Sequence, residues 1–146
     1  MKLAYHGATH MTSDLQTDLE VTAKAGFKGI ELWATKIDDY LKKHSISDLQ
    51  NLLTKYNVEA SSINSIEFIA FRGKDFKKIH QRCEQLSFIA GKINCPFIVV
   101  VPSPTSYALA AKTSELSPPW EKVVDEYVKV LRVLSDISKP HNVSLA

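Results

Sequence analysis

The chain has 146 residues, 45% of them hydrophobic and 23% charged, which suits a single soluble globular domain with room for a sizeable core. A formal charge of +2, with no basic run interleaved with aromatics, argues against a nucleic-acid partner. No stretch of about 18 consecutive apolar residues occurs and Met1 runs almost directly into a strand, so neither a membrane span nor a secretory leader is expected.

Leu3 to His6 reads as the first strand, with Leu3 and Tyr5 on one face and Ala4 and His6 on the other. Ser13 is expected to cap the following helix, with Gln16 as the return half of a capping box. That helix runs to Ala25 and hides Leu15, Leu19, Thr22 and Ala23. Gly26, tolerant of a positive φ, closes it, and Ile30 to Trp33 forms the second strand. Alternation puts Ile30 and Leu32 on an oily face and Glu31 and Trp33 on the opposite one. If helices cover the oily face, Glu31 points away from them near the strand's C-terminal end, where α/β proteins place ligands.

A short helical turn around Ile37, Tyr40 and Leu41 follows, and Ser47 with Gln50 repeats the capping-box spacing. The second main helix runs to Tyr56, burying Leu49, Leu52, Leu53 and Tyr56, and Asn57 is its left-handed stop. The third strand, Val58 to Asn64, places Ala60, Ser62 and Asn64 on one parity. Ser65 to Lys74 reads as a loop whose apolar residues, Ile66, Phe68, Ile69 and Phe71, either lie over a pocket or pack under the next helix. That helix, Asp75 to about Ile93, carries the stripe Phe76, Ile79, Cys83, Leu86, Ala90 and Ile93.

Phe97 to Val101, apolar on both parities behind Pro96, has the signature of a central parallel strand buried on two faces. The loop from Pro102 to Ser117 is long enough to be functional. Ser117 and Pro118 suit the N-cap and first turn of a fourth helix striped by Val124, Tyr127, Val128, Leu131 and Leu134. Val143 to Ala146 begins a fifth strand. Cys83 and Cys95 lack metal-ligand spacing and sit among apolar residues, the pattern of idle buried thiols in a reducing compartment such as the cytoplasm.

Strands and helices alternate, which requires parallel strands joined by right-handed crossovers. Two arrangements fit: an open doubly wound sheet, or consecutive units of a (β/α)8 barrel, which takes about 250 residues in full. No Gly-x-Gly-x-x-Gly or P-loop follows any strand, so nucleotide binding loses its best support.

Several short pieces occur in order and at matching spacing. They are Met-Lys-Leu-Ala-Tyr with Ala8-Thr9 after it, Gly26 to Leu32, Asp39-Tyr40-Leu41 with His44-Ser45, Asn64, Val99-Val100-Val101-Pro102, and Leu134-Ser135-Asp136-Ile137. Together they resemble the xylose-isomerase-like barrels of sugar isomerases and epimerases, particularly the inosose isomerase type. The resemblance spans essentially the whole chain. It implies one α/β domain over residues 1–146, the N-terminal half of a TIM barrel from the first strand and helix through the fourth helix to the start of a fifth strand.

The resemblance also implies a metal-dependent reaction on a keto sugar or inosose. The metal polarises a carbonyl, and a carboxylate moves the neighbouring proton through an enediol. Manganese, cobalt, zinc or magnesium is expected for the complete enzyme, and none for this chain alone. The family's first ligand is a Glu that follows a pattern like Val143 to Ala146 and one apolar residue, so no metal ligand and no catalytic residue carries over. Without the metal-ligand half, the chain alone is expected to be inactive.

By parity and resemblance, His6, Glu31, Trp33 and Asn64 are the expected substrate-binding residues, facing the lumen. Glu31 would take sugar hydroxyls and Trp33 would pack on a carbon skeleton. The competing reading of Glu31 is a carboxylate that caps or pairs at the rim. His6, without a neighbouring ligand, reads as an ordinary hydrogen-bonding group rather than a metal ligand, and His10 lies in a loop that does not align it with His6. The same N-terminal half also fits a 3-dehydroshikimate dehydratase, while an abasic-site endonuclease would want early His ligands and basic loops. A non-catalytic half-barrel assembly module is a further alternative. The expected partners are a small sugar or cyclitol, with no nucleic acid and no membrane, and other copies of the chain through exposed sheet edges.

Overall fold

The computed structural model describes residues 3–103 and 119–146. Five parallel strands form one sheet: β1 (Ala4–His6), β2 (Gly29–Trp33), β3 (Glu59–Ile66), β4 (Phe97–Val100) and β5 (Ser144–Leu145). Their spatial order is the order in the chain, β1-β2-β3-β4-β5. A doubly wound sheet reverses its order at a switch point, whereas barrel units do not. The fold is therefore consecutive (β/α) units, half of a barrel, and the open-sheet alternative falls away.

The helices are α1 (Leu15–Lys24), α2 (Ala34–Leu41), α3 (Ile46–Tyr56), α4 (Phe76–Lys92) and α5 (Trp120–Ser138). Neighbours pack in series, α1 on α3, α3 on α4 and α4 on α5. The core lies between them and one face of the sheet, where Leu19, Ile30, Leu49, Ile63, Leu86, Ile98 and Leu134 are all fully buried. Full burial of such side chains stabilises by roughly 1.5–3 kcal/mol each, against the ordering entropy of the chain. The other face carries Ala4, His6, Glu31, Ser62, Asn64, Phe97 and Val99, which pair across the ladder with one another or with Gly29, Trp33 and Ser144.

Helix ends follow local chemistry. Gly26 has φ +80° just past α1, and Asn57 closes α3 at φ 52°, both in the left-handed region expected of a stop. The caps sit elsewhere than expected. Asp14, not Ser13, caps α1, its carboxylate accepting Thr17 N–H at 2.7 Å. Ser45 and Asp48, not Ser47 and Gln50, make the capping box of α3. In each case the side chain best aligned with the free N–H groups of the first turn wins over a nearby one of equal propensity.

Three further expectations are corrected. Phe97 is 45% exposed, so β4 is buried on its helix-facing side alone. α5 leaves Val124 and Val128 each 39% exposed and adds Val130 and Ser138 to the buried side, while Leu134 is buried and Tyr127 and Leu131 pack against the core as expected. Of the two readings of the 65–74 segment, packing holds and the pocket reading is the one corrected: Ile66, the last residue of β3, and Ile69 and Ala70 are buried. The α4 stripe holds at Ile79, Cys83, Leu86 and Ala90. Ser117, Pro118 and the loop residues Pro104, Thr105 and Ser106 fall outside the described residues.

Candidate functional site

Glu31 is the centre of a polar cluster on the sheet face away from the helices. His6 stands directly opposite it in the β1–β2 ladder, with Nε2 3.1 Å from Glu31 Oε1. From β3, Ser62 Oγ donates to Glu31 Oε2 at 2.5 Å, and Asn64 Nδ2 donates to Oε1 at 3.2 Å. The Glu31 side chain is 23% exposed and the His6 ring 47%.

A bulge sets this geometry. Ile30 pairs with Ala60 but Glu31 pairs with Ser62, so Ser61 is the extra residue, its hydroxyl donating to Ile30 O at 2.9 Å. Ala60 therefore joins Ile30 on the core face at 6% exposure, while Ser62 and Asn64 turn to Glu31. The uniform parity expected for Ala60, Ser62 and Asn64 holds only after the bulge, because an inserted residue inverts alternation.

The protonation of His6 follows from its partners. Nδ1 accepts the backbone N–H of Ala8 at 2.9 Å, so it carries no proton. In the neutral ring the proton is then on Nε2, 3.1 Å from Glu31 Oε1. The carboxylate thus accepts from two side chains, Ser62 and Asn64, with the His6 ring beside it, and at 23% exposure it stays open to a hydroxyl. Trp33 does not join this cluster. It is the N-cap residue of α2, with the Lys36 ammonium 6.0 Å from its ring centroid. It lines a cavity of about 510 Å³ with Met11, Tyr40 and His44.

No protein-family model matches the chain. Two inosose isomerases do. That of Bacillus velezensis is 28% identical over 149 residues, and that of Halalkalibacterium halodurans 30% over 151. Each alignment takes in all of this chain and 50% of the relative. Among solved structures, the IolI protein with a binding zinc atom is 29% identical with a TM-score of 0.87, again over all of this chain and 50% of that one. The chain is a half-barrel relative of the inosose isomerases. It spans about half the length of the relatives it matches. Xylose-isomerase-like structures at 8–15% identity, with TM-scores of 0.71–0.78, share its fold.

In this relative of the inosose isomerases, the residues present do not suit a divalent cation. Among the described residues no three of His, Cys, Asp or Glu are grouped to hold one. Around Glu31, His6 Nδ1 is taken by Ala8 N–H, and Ser62 and Asn64 spend donors on the carboxylate, so one engaged carboxylate is all the cluster would offer a cation in place of a ligand set.

Sequence reasoning passed over Ser62 and, more importantly, Lys36 and Asp18. The Lys36 ammonium is 2.6 Å from Asp18 Oδ2, with the two side chains 5% and 4% exposed. It also donates to Gly7 O and His10 O, each at 2.8 Å, and to Ser13 Oγ at 2.9 Å. The signal was available: Asp18 lies between Leu15 and Thr22 on the buried stripe of α1, where an unpaired carboxylate would be costly. Cys83 and Cys95 are free and buried, as expected. No helix among the described residues is long and apolar enough to cross a membrane.

Proposed function

We propose that the Glu31 cluster is part of the polyol-binding rim of a sugar or cyclitol isomerase or epimerase, of which this chain forms the N-terminal half. The observation that carries the reading is the convergence of His6, Ser62 and Asn64 on Glu31 at the C-terminal ends of parallel strands. That is the end at which barrel enzymes build their sites. A carboxylate that accepts from Ser62 and Asn64 beside the His6 ring is oriented before substrate arrives and can accept hydroxyls of a ring such as inosose, the substrate in the relatives' names. Trp33 offers an apolar surface at the same rim.

The reaction is proton transfer beside a carbonyl through an enediol. A divalent metal, present as zinc in the IolI structure, would polarise that carbonyl from side chains outside the described residues. The chain on its own is then inactive. Its partners are a small polyol and, through the open edges of β1 and β5, a second copy or the remaining half of the barrel, with no nucleic acid or membrane involved. Buried free thiols suit the cytoplasm.

The test is to join residues 1–146 to the second half of the Halalkalibacterium halodurans inosose isomerase and assay with divalent metal. Turnover of inosose is expected. Turnover of 3-dehydroshikimate alone would move the protein to the dehydratases, and a folded chimera that binds neither compound would leave only an assembly role.

A further inference from the structure

We infer that Lys36 is a positioning residue that fixes which nitrogen of His6 carries the proton. Its ammonium gathers the loop after β1 at two carbonyls, Gly7 O and His10 O, and at Ser13 Oγ, and is itself anchored to Asp18. Gly7 is held from the other side, its N–H donating to Glu31 O at 2.8 Å. A Cβ at Gly7 would meet Glu31 O at 3.0 Å, Trp33 N at 3.1 Å and Asp18 Oδ2 at 3.5 Å, so the loop has little freedom there.

The residue next to this clamped glycine is Ala8, whose N–H is the donor that occupies His6 Nδ1. The clamp therefore aims one backbone N–H at one ring nitrogen. With Nδ1 occupied, the proton goes to Nε2, the nitrogen that faces Glu31 Oε1 at 3.1 Å. A loop released from Lys36 would let the His6 ring take either tautomer, and an Nδ1–H tautomer would turn a bare Nε2 lone pair toward the Glu31 carboxylate. Repulsion there would loosen the orientation that Ser62 and Asn64 give Glu31. The ammonium has no role as ligand or nucleophile in this scheme; it acts through the loop. The consequence for turnover rests on the reading of Glu31 as a polyol-binding group, but the consequence for the tautomer does not.

The test uses the 146-residue chain labelled with nitrogen-15 at histidine and lysine. In the unaltered chain the His6 ring is expected as the Nε2–H tautomer, with Lys36 ammonium protons exchanging at least about 10-fold more slowly than those of exposed Lys42. Lys36→Met should shrink the tautomer preference at least about fivefold, and Lys36→Arg should restore part of it. Since Lys36→Met leaves Asp18 buried and unpaired, the double variant Asp18→Leu with Lys36→Met is measured alongside. A folded double variant with the His6 signals of the unaltered chain overturns the inference. So does equal exchange at Lys36 and Lys42 in the unaltered chain, whether or not any variant folds. In the chimera, Lys36→Met should lower kcat for inosose about 10- to 100-fold. An inactive chimera with the tautomer shift intact counts against the functional reading and leaves this inference standing.

Discussion

His6 and Glu31 face each other across the β1–β2 ladder, the imidazole Nε2 3.1 Å from the carboxylate Oε1, while the other ring nitrogen accepts Ala8 N–H at 2.9 Å. Two neighbouring strands and a turn thus fix one proton in space. The carboxylate beside it is fixed by Ser62 and Asn64 from the third strand. Pre-orientation of this kind matters where a ligand is held by its hydroxyls, because each weak hydrogen bond must find its partner already in place.

Glu31→Gln tests the charge without changing the shape. With its NH2 turned toward Ser62, whose hydroxyl accepts as well as donates, the amide keeps its carbonyl toward His6 and Asn64, so the shape survives and the charge assistance is lost. Hydrogen bonds to a charged group are worth about 1.5–3 kcal/mol, so inosose affinity in the chimera should fall about 10- to 100-fold. The urea midpoint of the isolated chain should shift by less than about 1 kcal/mol, since relief of carboxylate desolvation offsets the lost bonds. Calorimetric titration against urea melts separates the two, and equal losses in both would mean that Glu31 only holds the sheet together.

What could be read from the sequence was local. Gly26 and Asn57 marked helix stops because few other residues accept a positive φ, and alternation alone put Glu31 opposite Ile30. The meeting of His6 with Glu31 needed only β1 beside β2, whereas Ser62 and Asn64 reach the carboxylate through a bulge. The bulge at Ser61 was not legible, because whether a strand inserts a residue depends on its partner's backbone. Lys36 was hidden for a similar reason: its four partners lie 18 to 29 residues away in the chain. Ser13 and Asp14 are both good caps, and only the course of the loop chose between them.

Lys36→Ala should be among the most destabilising single changes. It removes one partner of a buried ion pair and leaves Asp18 charged at 4% side-chain exposure, at a cost of about 3–5 kcal/mol. The pair replaced together by Leu at 18 and Met at 36 should cost far less, because no charge is stranded. Urea unfolding of Asp18→Leu, Lys36→Met and the double gives the coupling directly, and additive losses would show that the two charges do not depend on each other.

Asp14 gives a pH signature. The Thr17 N–H that it accepts as N-cap holds its carboxyl below the usual range, helped more weakly by the Lys36 charge and opposed by burial. A depressed folded value means that its stabilisation is full above the unfolded pKa near 4 and is lost as pH falls through the folded one. Asp14→Ala should therefore cost about 1 kcal/mol at pH 7, and the gap from the parent chain should close progressively below about pH 4. A gap unchanged at pH 2 would place the loss in packing.

The thiols should be silent in the folded chain. Burial pushes Cys95 up to about 11, against a smaller opposing effect of its contact with Phe97 O, and burial also raises Cys83. At pH 8 only about one Cys95 in a thousand is thiolate, so maleimide labelling should run at least about 100-fold slower than in denaturant. Fast labelling under native conditions, followed by mass spectrometry, would reveal opening of the α4–β4 region.

The two outer strands give the last prediction. Among the described residues β1 and β5 each pair on one side only, and a groove of about 750 Å³ lined by Leu131, Ser135, Asn142 and Leu145 runs beside β5. Ser144 N–H donates to Pro96 O and Ala146 N–H to Ile98 O, so the intervening Leu145 N–H points to the open edge. A second copy related by a two-fold along the strand direction would set β1 of each beside β5 of the other, parallel as a barrel requires, with both edges satisfied. Sedimentation at roughly 100 µM should show a dimer, in the concentration range where exposed edges associate. Leu145→Pro deletes the outward donor of the ladder, along with part of the packing of a side chain that rests on the core, and should shift the chain toward monomer while its circular dichroism stays native. A parent chain that sediments as a monomer at that concentration, or a proline variant that still dimerises, would remove the edges as the contact.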